Sequence, residues 1–185
     1  KAGRGHASFW FYKKQRRVEF CWTGFLRVEK SNKKASNIQL LWFYNYAISI
    51  YEKKVGILGF GNIGQTLARL LSIFDCEINF FDQKIFTKNE LLDVCAANSL
   101  QLDNLKQKNL LDVLSESDII SIHLPLNDDT ENIINAQAFE HLKKSVVIVN
   151  TARGGIVQEQ DMTKFLLSHP DSFAAFDVFN DEPVQ

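Results

Sequence analysis

Val55-Gly56-Ile57-Leu58-Gly59-Phe60-Gly61-Asn62-Ile63-Gly64-Gln65 reads as a buried strand that runs through a glycine turn into a helix. Each glycine meets a separate physical demand. Gly59 permits the sharp turn, Gly61 lets the backbone approach a pyrophosphate, and Gly64 lets the helix lie close to the strand. The free NH groups of Asn62 and Ile63 at the helix start would face those phosphates. A GxGxxG match alone is weak, because glycine-rich turns also occur in loops that bind nothing.

The surroundings strengthen it. Lys53-Lys54 mark a solvated entry, and Ile63, Leu67, Leu70, Leu71 and Phe74 follow at helical spacing. A second apolar run, Ile78-Asn79-Phe80-Phe81, ends at Asp82, roughly 20 residues downstream, where an acid that binds ribose hydroxyls belongs. A carboxylate there accepts from both hydroxyls and repels a 2'-phosphate, which favours NAD over NADP. Lys84 works against that preference, and an ordinary turn aspartate is the plainer reading of Asp82.

From residue 55 onward strands and helices alternate. Strands are expected at 55–59, 77–82, 118–123, 146–150 and 173–178, with a short one near 100–102; helices are expected at 63–74, 88–97, 106–115, 135–142 and 158–168. Runs such as Ile119-Ile120-Ser121-Ile122 and Val146-Val147-Ile148-Val149 are short and β-branched, and apolar residues fill both of their faces. Strands of that kind belong to a parallel sheet covered by helices, so the fold class is α/β, a Rossmann-like doubly wound sheet with helices on both faces. Ligands of such sheets bind at the carboxyl ends of the strands.

The 185 residues are enough for one domain or slightly more. A net charge of -1 conceals an asymmetry: residues 1–54 carry twelve Lys/Arg against three Asp/Glu, and the remainder nine against nineteen. Trp10, Trp22 and Trp42 also lie in the first part, so a boundary is expected near residue 50, with an unassigned basic and aromatic segment before it and the nucleotide domain at 51–185. No nucleic-acid motif accompanies Phe9-Trp10-Phe11-Tyr12-Lys13-Lys14, so neither nucleic acid nor membrane is an expected partner. A poorly ordered stretch, a helical lead-in and a stretch that is not native coding sequence all stay open for residues 1–50. Cys21, Cys76 and Cys95 show no disulfide or metal spacing, which points to a reducing, cytoplasmic setting and no metal. No apolar run reaches the length of a membrane span.

Three further strand ends carry a resemblance: His123-Leu124-Pro125-Leu126, Asn150-Thr151-Ala152-Arg153-Gly154-Gly155, and Asp177-Val178-Phe179-Asn180-Asp181-Glu182-Pro183. With the glycine turn, they make residues 55–185 similar to the NAD-binding domain of the D-isomer-specific 2-hydroxyacid dehydrogenases, among them D-3-phosphoglycerate, D-lactate, glycerate and formate dehydrogenases. The resemblance implies NAD as cofactor and a small 2-hydroxy or 2-keto acid as substrate. It gives Arg153 the substrate carboxylate, a role suited to a planar guanidinium that stays charged. It makes Glu182 the partner of a histidine acid/base, whose pKa an adjacent carboxylate raises. Asp177 would hold the nicotinamide carboxamide, and Leu124, Thr151 and Ala152 would line the ribose and nicotinamide. His123 is expected to be structural or cofactor-lining.

The family histidine lies beyond the Glu-Pro segment, and the substrate domain is built from both sides of the nucleotide domain. The expectation for this chain alone is therefore weak NAD(H) binding and negligible turnover, and for the full-length protein a homodimer or larger. Two other classes stay open: an NAD(H)-sensing binding protein of the corepressor type on the same fold, and, less favoured, an NADP-dependent oxidoreductase of another Rossmann group.

Overall fold

A computed structural model describes residues 9–14, 17–21 and 49–180. Its sheet contains β1 (Phe9–Lys14), β2 (Arg17–Cys21), β3 (Lys54–Leu58), β4 (Glu77–Phe81), β5 (Leu105–Gln107), β6 (Ile119–Ile122), β7 (Val147–Asn150) and β8 (Phe173–Phe176), in the order β2-β1-β8-β7-β6-β3-β4-β5. Strands β3 to β8 are all parallel, whereas β1 pairs antiparallel with both β2 and β8. Strands therefore stand in part of the segment for which a helical lead-in was one expectation.

The helices are α1 (Asn62–Leu71), α2 (Lys88–Asn98), α3 (Leu110–Glu116), α4 (Ala136–Glu140) and α5 (Glu159–Ser168). Side chains alternate across each strand, so the sheet builds two cores. Val55, Ile57, Ile78 and Phe80 pack with Ala68 and Leu71 of α1 and Cys95 of α2. Ile120, Ile122, Ile148, Ala174 and Phe176 pack with Val113 and Leu114 of α3, Phe139 of α4, and Met162 and Phe165 of α5. Helices thus cover both faces, as a doubly wound sheet requires.

Several boundaries differ from expectation, the largest differences lying between residues 100 and 110. The short strand lies at Leu105–Gln107 rather than at 100–102, and the following helix starts at Leu110 rather than at 106. Asn109 decides the helix start, because its side chain caps the helix by accepting from Asp112 N. The buried Leu105 pairs with Ile78, which draws 105–107 into the sheet. Further back, α1 gives way to a 3₁₀ turn over Ser72–Phe74 and stops where Asp75 turns left-handed at φ 53°.

At the amino ends of the strands, Asp118 joins three elements. It accepts from Lys54 N at 3.0 Å and pairs with Lys143 Nζ at 2.8 Å, while Val147 N donates to its carbonyl at 3.0 Å. Burial pushes the Asp118 carboxyl up, but the Lys143 and Lys54 hydrogen bonds outweigh it and hold the group below its ordinary 3.8. A depressed folded value contributes stability that is complete above 3.8 and is lost as pH falls through that lower value. Urea unfolding should therefore weaken more steeply with acid in the wild type than in Asp118→Asn; equal slopes would remove this role.

No helix among the described residues is long and apolar enough to cross a membrane.

Candidate functional site

The glycine turn is built by close approach. Gly59 sits at φ 95°, and a Cβ there would lie 2.7 Å from the carbonyl carbon and oxygen of His123. Backbone bonds hold this approach on both sides: Gly59 N donates to Phe81 O at 2.8 Å, and His123 N donates to Leu58 O at 2.7 Å. A Cβ on Gly64 would collide with the Gly59 carbonyl oxygen, so the helix can lie this close to the strand only without one. Around Gly61 the case is the reverse, with nothing within 4 Å of where its Cβ would stand.

That open space faces the start of α1. No side chain caps this helix and no acid occupies its first turn. The amides of Asn62, Ile63 and Gly64 precede the first intrahelical bond, which Gln65 N makes to Gly61 O at 2.9 Å. Asn62 and Ile63 are exposed, Ile63 at 69%. Uncapped amides beside an open backbone suit a pyrophosphate.

Asp82 closes the other wall. One carboxylate oxygen accepts from Phe60 N at 2.6 Å and the other from Lys84 N at 2.9 Å. The plain turn reading is therefore met by these two bonds, and the carboxylate keeps lone pairs that ribose hydroxyls could use. Phe60 anchors the turn beneath: its buried ring stacks on Phe80 with centroids 3.8 Å apart, and Phe86 meets both edge-on.

The second half of the site hangs from β7 and β8. The buried Asn150 side chain accepts from Ala152 N at 3.1 Å and donates to Arg153 O at 3.0 Å, shaping the loop that exposes Thr151 and Arg153. Arg153 Nη1 donates to Ala152 O at 2.7 Å. Asp177 is exposed beside this loop, and its amide donates to Asn150 O at 3.0 Å. A Cβ on Gly154 would strike the Phe179 carbonyl, so the two loops meet there, while Asn180 N ties the second loop to the start of α5 by donating to Glu159 Oε1 at 2.8 Å.

Gly59, Gly61, Asn62, Ile63, Gly64, Asp82, Leu124, Thr151, Ala152, Arg153 and Asp177 thus all lie at or just beyond the carboxyl ends of β3, β4, β6, β7 and β8. The model of the D-isomer specific 2-hydroxyacid dehydrogenase NAD binding domain matches residues 27–185. The chain belongs to that family.

Among relatives of this dehydrogenase family, a glyoxylate reductase from Thermofilum pendens is 34% identical over 132 residues, which are 71% of this chain and 36% of that protein. The chain thus spans little more than a third of that relative's length. Two solved structures share the fold. D-lactate dehydrogenase with NAD+ from Lactobacillus jensenii superposes with a TM-score of 0.62 at 29% identity, covering 74% of this chain and 38% of that one. An acyclic imino acid reductase in complex with NADPH and D-Arg gives 0.61 at 26% identity, covering 75% and 40%.

Leu124 is buried in the core at 4% exposure, so only its backbone faces the glycine turn. His123 is partly buried, with Nε2 2.9 Å from Ser121 Oγ, and desolvation pushes its pKa below the ordinary 6.5. Glu182 lies outside the described residues. Reading of the sequence missed Asn150, Glu159 and Phe60 as positioning residues. The signal for Asn150 was visible, a lone polar residue ending an apolar strand before small residues; Glu159 and Phe60 act across the fold and left none.

Proposed function

We propose that this NAD-binding domain serves hydride transfer between NAD and the C2 position of a small 2-hydroxy or 2-keto acid. The reading is carried by one observation: the dinucleotide turn and the Arg153 loop open at the same edge of one sheet, with the guanidinium exposed. Bound NAD supplies the hydride acceptor at its nicotinamide. Arg153 binds the substrate carboxylate and polarises the C2 oxygen. Asp177 and the 151–152 backbone orient the nicotinamide, the Asn62 and Ile63 amides hold the pyrophosphate, and Asp82 receives the ribose. Glu182 belongs to the same reading as partner of the acid/base. A homodimer or larger assembly is supported by the exposed Leu70, Ile73 and Phe74, and a reducing cytoplasmic setting by the free thiols of Cys76 and Cys95.

Two measurements test this. NADH titrated into the chain should show the enhanced, blue-shifted nicotinamide fluorescence of a bound cofactor. With residues 49–180 replacing the equivalent region of a glyoxylate reductase, Arg153→Met should lower glyoxylate reduction by about 10²- to 10³-fold while NADH still binds. A chimaera that keeps full turnover as the methionine variant would remove Arg153 from the chemistry.

A further inference from the structure

The loop that follows Asp82 contains a lysine whose direction is set by a residue the dinucleotide reading does not use. Lys84 sits two residues beyond the ribose-binding carboxylate, and its amide donates to Asp82 Oδ1. A lysine so placed is the natural cation for a 2'-phosphate. In the structure it is turned to another partner: Nζ lies 2.7 Å from Glu90 Oε1 and 4.7 Å from the centre of the Phe86 ring.

Glu90 is itself locked. Thr87 caps α2, and Glu90 Oε2 accepts from Thr87 N at 2.8 Å and from Thr87 Oγ1 at 2.9 Å, completing a capping box. One carboxylate oxygen therefore holds the helix and the other holds the lysine. Lys84, together with the Thr87 bonds, keeps the Glu90 carboxyl at about 2, so it is charged throughout the working range. The loop backbone is pinned separately, since Gln107 Nε2 donates to Lys84 O at 2.7 Å and Phe86 N donates to Gln107 Oε1 at 2.9 Å. With the backbone fixed, the freedom left at this position is where the lysine side chain points.

We propose that Glu90 sets the cofactor preference of this domain: by holding Lys84 against α2 it withholds from the ribose edge the cation that a 2'-phosphate needs, and so favours NAD(H) over NADP(H). The proposal rests on the dinucleotide site described above. That this architecture can accept the phosphate is illustrated by the related imino acid reductase in complex with NADPH.

Glu90→Gln is the informative variant, because glutamine keeps the capping box while removing the charge that holds the lysine. NADH and NADPH are titrated by fluorescence into the wild-type chain, Glu90→Gln, and Glu90→Gln combined with Lys84→Met. The wild type should bind NADH more tightly than NADPH. Glu90→Gln should tighten NADPH about three- to tenfold, leave NADH within about twofold, and lose the gain as salt is raised. Lys84→Met in the same background should cancel the gain. An unmoved unfolding midpoint in Glu90→Gln, with no change in NADPH affinity, would overturn the proposal, as would a gain that survives Lys84→Met. Failure of the wild-type chain to bind NADH would instead overturn the dinucleotide site itself, and this proposal with it.

Discussion

Gly59→Ala is expected to cost the domain about 2–4 kcal/mol and to remove measurable NADH binding. Two independent penalties combine there. A left-handed φ of 95° strains any L side chain, and the new methyl would stand 2.7 Å from the His123 carbonyl, a backbone group that β6 and β3 hold in register. Relief would require parting the Gly59–Phe81 or His123–Leu58 hydrogen bond, each of which positions one wall of the cofactor cleft. Gly61→Ala is the control, since Gly61 has extended backbone at φ -77° and empty space around it. It should change stability by less than about 1 kcal/mol while still weakening NADH, because its methyl would occupy the approach to the pyrophosphate. Urea midpoints and NADH titrations of the pair separate the two roles; equal stability of both variants would refute the assignment.

Gly154→Ala is expected to loosen the joint between the loops that follow β7 and β8. The methyl would meet the Phe179 carbonyl, and overpacking against backbone costs about 1–3 kcal/mol. The effect should be local before it is global. Amide exchange at Asp177 and Asn180, which donate to Asn150 O and Glu159 Oε1, should accelerate well ahead of the β3–β6 core. Arg153 would keep its charge and lose its placement. Unchanged protection at those two amides would show that the loops do not depend on the contact.

Much of this arrangement was legible in the residues. Periodicity separated strands from helices because the sheet is buried on both sides, and the glycine spacing located the turn because two of its demands are local, the positive φ of Gly59 and the approach of Gly64 to the Gly59 carbonyl oxygen. The strand at Leu105–Gln107 was misplaced because its three residues have no pattern of their own; pairing with Ile78–Phe80 defines it. Asn109 carried a capping signal for a helix start at Leu110, which hydrophobic spacing from 106 onward overrode. In the site, distance from the glycines singled out Asp82 and resemblance to the family loop singled out Arg153, and the structure puts both at strand carboxyl ends. Glu159 was not, since its partner Asn180 lies 21 residues away and the bond exists only when α5 and the loop after β8 meet. Lys84 counted against the NAD preference in the sequence, where its pairing with Glu90 is invisible.

The bond from Phe60 N to Asp82 couples ligand affinity at this position to the shape of the turn. The carboxylate that would receive the ribose also braces the glycine loop, so cutting it withdraws an acceptor from the ligand and a strut from the loop in one substitution. The loss in Kd on Asp82→Asn then mixes recognition with rigidity. A thermodynamic cycle that pairs the variant with a 2'-deoxy cofactor separates them: whatever loss persists when the ligand has no 2'-hydroxyl to offer belongs to the other hydroxyl and to the brace, and only the remainder to that one hydrogen bond.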